Sequence, residues 1–306
     1  NLEVENCIIL DNTGVTGGGT SVFETNSISI LNTLIKDNYA EEMGGGIGIH
    51  GSNNFNLVNS IVINNSVQFD AGGVLLYDVD SSKVVSTTIG GNTIPGNMSG
   101  TGLDLRGTSS DHLLIFNSVI SQNKVGDQSS YQIINRNGGT IESYYSMIGN
   151  NDINAVYEHF SNITSSSDPF VDIWNGNGNL ADYGAGIGSG ALSQQLFSGK
   201  TVTSPLLDFY GNPRPSPIGS NPDMGAIENI RSKKLTKIYI SKEGSDTNSG
   251  SEESPLLTIS KGVSASSNGD TVLLGGGAYY ENIEIMDKDI HLASLYLTSG
   301  DTSHIS

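Results

Sequence analysis

A seven-residue phrase that recurs along the first half of the chain restricts the fold more than any other feature of the sequence. Each copy opens on a polar side chain, usually Asn, continues with Ser or Thr in all but the first copy, runs through apolar residues and closes on Asn. The copies are Asn6–Asn12, Asn32–Asn38, Asn59–Asn65, Ser86–Asn92, Asn117–Asn123 and Tyr145–Asn151. The closing asparagines are separated by 26, 27, 27, 31 and 28 residues. A period of this length indicates a repeat architecture in which each copy is one structural unit.

A glycine cluster and a second apolar run follow several copies of the phrase. Gly44-Gly45-Gly46 precedes Ile47-Gly48-Ile49, and Gly72-Gly73 precedes Val74-Leu75-Leu76. Each repeat is therefore two or three short strands separated by turns, and the consensus residues of leucine-rich repeats and of WD-type blades are missing. The sequence predicts an all-β fold, a right-handed parallel β-helix whose coils stack at about 4.8 Å. The handedness follows from the crossover rule for parallel strands.

The closing asparagines are expected to stack at one corner of the coil. Each side-chain amide would donate to the carbonyl oxygen of the next, and asparagine tolerates the left-handed turn conformation. The predicted ladder consists of Asn38, Asn65, Asn92, Asn123 and Asn151. We interpret these residues as structural rather than as ligands, because buried turn amides must be satisfied by hydrogen bonds.

The net charge argues against two classes of partner. The 306 residues carry a formal net charge of −18 at pH 7. A field of that sign repels the phosphates of nucleic acids and the headgroups of anionic lipids, so neither is an expected partner. Cys7 is the only cysteine of the chain, which excludes an internal disulfide and a thiolate metal site.

No stretch of the sequence has the length and apolar character of a transmembrane helix, and residues 1–20 do not have the pattern of a signal peptide. The chain opens within the strand pattern. We therefore expect a fragment of an extracellular or cell-surface protein whose export signal and anchor lie outside these residues.

Two later segments resemble a known family. Residues 179–228 contain Asp208-Phe-Tyr-Gly-Asn-Pro-Arg-Pro215 and close on Asp223-Met-Gly-Ala-Ile-Glu228. This segment resembles the closing part of the choice-of-anchor Q family of bacterial β-helix proteins. Their last coils carry an Asp-x-x-Gly-Asn-x-Arg-Pro phrase and end in Asp-Ile-Gly-Ala-Tyr-Glu. Arg214 lies in this phrase, and we interpret it as the partner of Asp208 or Asp223 in an internal ion pair.

Residues 237–285 resemble the opening of the same class of β-helices, in which a short capping helix precedes a Gly-Asp-Thr strand. The resemblance implies a capping helix near 258–266. It also implies three parts of the chain: β-helix coils at 1–155, irregular last coils and a cap at 156–230, and a linker with the start of a second β-helix at 231–306. The parent would then hold β-helix domains in tandem, although 237–306 could instead continue the first helix.

A stripe of polar side chains is the best candidate for chemistry. If Ile49, Leu76 and Leu105 point inward, alternation turns the residues after them outward in one column with Asn135, and Asp104 would flank this column. The candidate stripe is His50, Tyr77, Asp104 and Arg106. These side chains could hold a sugar chain or supply an acid and a base. The alternative is a solvated sheet face with ordinary polar residues.

A weaker candidate is a calcium site. Asp246, Asn248 and Glu253 place oxygen ligands at short spacing, although the full EF-hand pattern is missing. We expect no other cofactor.

The sequence favours a non-catalytic segment of a large extracellular repeat protein that serves as stalk, adhesin or filament. Its partners would be neighbouring β-helix domains of the parent or identical chains end to end, with a polysaccharide as a possible ligand. Two alternatives stay open: a polysaccharide lyase or glycoside hydrolase of the β-helix class, and a carbohydrate-binding module.

Overall fold

The computed structural model describes most of the chain and divides it into two compact units. The described residues are 1–95, 102–126, 128–129, 131–136, 138–149, 156–158, 161–165, 168–182, 184–216, 220–229, 237–266, 270–286 and 290–305. The first unit comprises residues 1–181 and 186–232, and the second comprises 182–185 and 233–306. The predicted all-β fold is confirmed: stacked parallel strands form a β-solenoid of about 5 turns. The predicted subdivision of the chain at residue 155 stays a prediction.

Three parallel sheets form the coils of the first unit. The long-strand sheet contains β1 (Leu2–Glu5), β4 (Thr20–Leu31), β7 (Ile47–Val58), β10 (Val74–Val85), β13 (Leu103–Arg106), β14 (His112–Phe116), β18 (Ile133–Arg136), β19 (Thr140–Tyr144) and β21 (Val156–Glu158). The middle sheet contains β2 (Ile8–Leu10), β5 (Leu34–Lys36), β8 (Ile61–Ile63), β11 (Thr88–Gly90), β15 (Val119–Ser121), β20 (Met147–Gly149) and β22 (Ile163–Ser165). The short-strand sheet contains β3 (Thr13–Thr16), β6 (Tyr39–Met43), β9 (Ser66–Val67), β12 (Thr93–Ile94), β16 (Lys124–Val125) and β17 (Gln128–Ser129), of which β17 alone is antiparallel to its neighbour.

The register of the strands places apolar side chains above one another in the core. Ile28 lies beside Phe55, and Ile30 lies beside Leu57, which lies beside Val84. All five are fully buried, because inward residues of successive coils stack in continuous columns. Glycine clusters lie between the short-strand and long-strand sheets. The backbones of neighbouring coils approach each other so closely there that a Cβ atom would collide with a carbonyl oxygen of the next coil.

The left-handed turn conformation lies one residue earlier than predicted. Residues before the ladder asparagines adopt it, with φ of 55° at Asp37 and 56° at Asn64, whereas Asn38 and Asn65 do not. The opening residue of the phrase adopts it as well, with φ of 51° at Asn59. Each of the five phrases that the structure describes in full is thus a short strand between two left-handed corners, and its closing asparagine points its amide into the coil.

The described residues of 168–181 and 186–229 cover outer faces of the coils, mainly that of the middle sheet and, at 191–202, that of the long-strand sheet. This part contains β23 (Phe170–Asp172), a 3-10 turn (Ile173–Asn175), β24 (Asn177–Leu180), β25 (Ser193–Gln195) and β26 (Thr201–Thr203). Phe170, Ile173 and Met224 pack against Ile61 and Val119, and this cluster is buried. Strands β8, β11, β15 and β20 of the middle sheet are therefore buried on both faces, which accounts for the uninterrupted apolar run of β8.

The described part of the second unit has a three-stranded parallel sheet and two short helices. Its elements are β27 (Lys237–Ile240), α1 (Ile259–Ala265), β28 (Thr271–Leu274), β29 (His291–Ser294), α2 (Tyr296–Ser299) and a 3-10 turn (Thr302–Ile305). Helix α1 lies where the capping helix is predicted, and its Ile259 and Val263 pack on Ile238 and Val272. No helix in the described part of the chain is long and apolar enough to span a membrane.

Candidate functional site

The predicted asparagine ladder is present through four successive coils. Asn38 donates from its backbone N and from Nδ2 to Oδ1 of Asn65, at 3.0 and 2.9 Å. Asn65 donates in the same way to Asn92 at 2.9 and 3.0 Å, and Asn92 to Asn123 at 3.1 and 2.9 Å. All four are at most 1% exposed. Each amide therefore satisfies the backbone and the side chain of the coil before it.

A glutamine continues the ladder beyond Asn123. Backbone N and Nδ2 of Asn123 donate to Oε1 of Gln132, at 3.0 and 2.7 Å. The predicted member Asn151 lies outside the described residues. At the other end, Asn12 donates to Oδ1 of Asn38 and is exposed, so it forms the first rung.

A second ladder runs through the hydroxyl groups at the second position of the phrase. Backbone N of Thr33 donates to Oγ of Ser60 at 3.1 Å, and the same contact continues along the coils. The later steps are Ser60 to Thr87, Thr87 to Ser118, and Ser118 to Ser146. Sequence reasoning missed this ladder, although the Ser or Thr that recurs after the opening residue of the phrase is its signal.

The register of the long-strand sheet corrects the predicted stripe by one residue. His50 lies beside Tyr77, Tyr77 beside Arg106, and Arg106 beside Arg136. Asn135 lies beside Leu105 in the inward row instead, because β18 pairs from Ile133 opposite Leu103. The column also extends to Phe23, which lies beside His50.

The aromatic half of this column is a ring stack. Phe23 and His50 have ring centroids 4.7 Å apart at an interplanar angle of 16°, and His50 and Tyr77 are 5.6 Å apart at 26°. The faces of His50 are therefore covered by its neighbours. Burial lowers the pKa of His50 and the charge of Arg106 lowers it further, while Asp78 acts in the opposite direction. Buried Nε2 of His50 has no hydrogen-bond partner among the residues that the structure describes.

The two arginines at the other end of the column belong to a closed ionic cluster with Asp70 and Asp104, which lie outside the column. Fully buried Asp104 accepts from Arg106 at 2.8 Å and from Arg136 at 3.1 Å. Asp70 pairs with the same two arginines at 2.9 and 3.1 Å. Two carboxylates and two guanidinium groups neutralise one another, so the structure brings Asp104 and Arg106 together as an ion pair. Sequence reasoning did not include Asp70 and Arg136, since their coils lie 66 residues apart in the chain.

The calcium candidate residues have structural hydrogen bonds. Asp246 accepts from backbone N of Leu257 and Thr258 through Oδ1 and from Oγ1 of Thr258 through Oδ2. Asn248 donates from Nδ2 to the carbonyl of Pro255. These contacts fix the entry to α1, while Glu253 is exposed. In the described residues no group of three or more His, Cys, Asp and Glu has an arrangement that could hold a metal ion. Calcium binding stays a prediction.

A buried arginine joins the closing segment to the coils. Arg214 pairs with Glu228 at 3.3 Å, and both side chains are fully buried. Its Nη1 donates to the carbonyl oxygens of Asp223 and Gly225, and its Nη2 donates to Oδ1 of Asn59. The predicted internal ion pair exists, but its acid is Glu228 rather than Asp208 or Asp223.

Acidic groups around Arg214 make the first unit sensitive to pH. The pKa of Asp223 is raised from an ordinary 3.8 to about 8, first because burial disfavours the charged carboxylate and second because Glu228 lies nearby. Hydrogen bonds to Asp223 from backbone N of Asn229 and Gly188, both 2.6 Å, oppose this rise. Burial raises the pKa of Glu228 as well.

We expect the free energy of unfolding of the first unit to fall as pH rises from about 4 to about 8. A carboxyl group with a higher pKa in the folded than in the unfolded state stabilises the fold most below the unfolded pKa. That contribution is lost as pH rises through the folded pKa. Urea denaturation across this range measures the slope. Asp223→Asn should flatten it, whereas Asp172→Asn at an exposed carboxylate should leave it unchanged; equal slopes in all three proteins would contradict the assignment.

The fold and these polar columns define a class of protein, the parallel β-solenoids. Comparison with protein families, curated proteins and solved structures finds no match to the chain.

Proposed function

We propose that the chain is a non-catalytic segment of a large extracellular or cell-surface repeat protein that serves as stalk, adhesin or filament. The observation that carries the proposal is that the polar side chains contact one another between successive coils. The asparagine and hydroxyl ladders link each coil to the next, and the candidate stripe is divided between a ring stack and a neutralised ionic cluster. These contacts hold the coils in one register, which is what a mechanical scaffold requires.

The proposal extends to the parent protein and its partners. The resemblance of 179–228 to the closing part of the choice-of-anchor Q family, and of 237–285 to a second opening, supports β-helix domains in tandem. We propose neighbouring domains of the parent, or identical chains end to end, as partners. Each solenoid unit buries its apolar face only against the next unit, which favours partners of the same kind.

Catalysis is the less favoured alternative because the candidate catalytic side chains are buried or covered by their neighbours. A general acid or base must reach a substrate proton, whereas Asp104 is fully buried beneath two arginines. His50 has its ring faces against Phe23 and Tyr77. A lyase or hydrolase of the β-helix class would need these side chains to be free.

We expect the purified chain to leave acidic and neutral polysaccharides intact. The test is incubation with a panel of both, with and without calcium, followed by measurement of new reducing ends and of unsaturated products. A His50→Ala, Arg106→Ala double variant is the control for contaminating activity. Chain shortening by the unaltered protein above that control would overturn the non-catalytic proposal.

Binding of a saccharide without cleavage is the second candidate. It is favoured by a groove on the outer face of the long-strand sheet, which hydroxyl, amide and basic side chains line together with a few apolar ones. This groove lies at a distance along the strands from the candidate stripe.

A further inference from the structure

A groove of about 490 Å³ lies between the long-strand sheet and the hairpin of β25 and β26. Its floor consists of side chains from β4, β7, β10 and β14, and its wall of residues 196–202. Its volume lies in the range of small-molecule sites, which is about 300–1,000 Å³.

Two columns of outward side chains form the floor. Ser27, Asn54, Ser81 and His112 lie beside one another in the first column, which spans three strand spacings, about 14 Å. In the second column Lys83 lies between Asn56 and the apolar Leu114. These hydroxyl and amide groups repeat along the solenoid axis, so they suit an extended ligand that repeats its own hydroxyl groups.

The lysines of the groove differ from the other basic residues of the first unit because they have no charged or aromatic partner among the described residues. Seven Lys and Arg side chains are described in this unit, and five of them have a charged or aromatic partner: Lys36, Arg106, Lys124, Arg136 and Arg214. The remaining two are Lys83 and Lys200, and both line the groove. The described lining also contains His112, whose Nε2 lies 3.5 Å from Oε1 of Glu142, and the lining itself holds no carboxylate.

This placement is notable in a chain whose net charge is −18. Acidic side chains are abundant, yet neither lysine of the groove is neutralised by one in the described structure. Both lysines are exposed and keep their donors free for an anionic group of a ligand. At physiological ionic strength the Debye length is about 8 Å, so distant acids are screened while groups in contact with the ligand are not.

We propose that this groove binds an acidic oligosaccharide, with Lys83 and Lys200 contacting its anionic groups and the serine and asparagine columns contacting its hydroxyl groups. The shared chemistry is a negative group, carboxylate or sulfate, on a hydroxyl-rich chain. The site adds a ligand to the proposed scaffold and requires no catalysis.

Titration calorimetry of the full chain at physiological salt tests the proposal with four probes: oligogalacturonate, a sulfated oligosaccharide, a neutral cello-oligosaccharide and a poly-glutamate peptide. We expect at least one of the two acidic saccharides to bind, and the neutral saccharide and the peptide to bind at least about tenfold more weakly. Which acidic probe binds identifies the anionic group.

Single variants then locate the site. Lys83→Gln and Lys200→Gln should each weaken binding about three- to tenfold, because each removes one charge-assisted contact. Lys36→Gln removes the same charge from a lysine paired with Asp37 outside the groove, and should leave affinity unchanged. The proposal would be overturned if neither acidic saccharide binds, or if the neutral saccharide or the peptide binds as tightly as the acidic ones. It would also be overturned if all three substitutions change the affinity equally. None of these results bears on the cleavage assay.

Discussion

Replacing Arg214 with methionine is expected to destabilise the first unit by about 3–5 kcal/mol, the usual cost of removing one partner of a buried ion pair. The loss leaves fully buried Glu228 without its partner. Burial already lowers the pKa of Arg214, and the acids around it, Glu228 first, act against that shift. The hydrogen bond from Arg214 to Asn59, which joins the closing segment to a coil, is lost as well.

Fluorescence of Trp174, the only tryptophan, measures this effect because it reports the first unit alone. Arg136→Met is the matched control, since its side chain is 32% exposed and Arg106 remains to pair with Asp104. The control should cost about 1 kcal/mol or less. The double variant Arg214→Met, Glu228→Gln should recover at least about 1 kcal/mol relative to the sum of the single changes. Additive effects would contradict the proposed ion pair.

Asn65→Ala is expected to destabilise the first unit by about 2–4 kcal/mol. Its Oδ1 accepts two hydrogen bonds from Asn38, and its Nδ2 donates to Oδ1 of Asn92 and to the carbonyl of Ile35. Alanine leaves several of these buried groups unsatisfied, at about 1–3 kcal/mol for each group that finds no other partner.

The same substitution at the first rung is the control. Asn12 has the same place in the repeat, but it is exposed and water can replace its contacts. Asn12→Ala should therefore cost less than about 1 kcal/mol. Urea denaturation followed by Trp174 fluorescence measures both variants, and equal costs at the two positions would show that the ladder does not stabilise the coils.

The sequence predicted the features that repeat locally. The spacing of the closing asparagines was sufficient to predict coils, parallel strands and the stacking of Asn38, Asn65, Asn92 and Asn123, because a periodic chain can satisfy those amides in few ways. The turn chemistry was assigned one residue too late, to the closing asparagine instead of Asp37 or Asn64. Both residue types tolerate the left-handed conformation, so the sequence alone does not distinguish the two positions.

Contacts between distant parts of the chain were not predictable in the same way. The repeat is irregular before β18, so the register between β13 and β18 decides whether Arg136 or Asn135 joins the candidate column. A shift of that register by one residue would turn every side chain of β18 to the opposite face of the sheet. The packing of Phe170, Ile173 and Met224 on the middle sheet was also missed. Its signal was the run Ile61-Val62-Ile63, because a strand with one face in water would alternate.

Exchange of the asparagine side-chain amide protons, measured by NMR, tests the central claim that the polar columns of this solenoid are structural. Nδ2 protons of Asn65 and Asn92 lie in buried hydrogen bonds and should exchange only when the first unit unfolds. Those of exposed Asn12 should exchange at rates close to those of a free amide. If Asn65 and Asn92 exchange as fast as Asn12 under native conditions, their amides are open to solvent and the asparagine ladder does not hold the coils together.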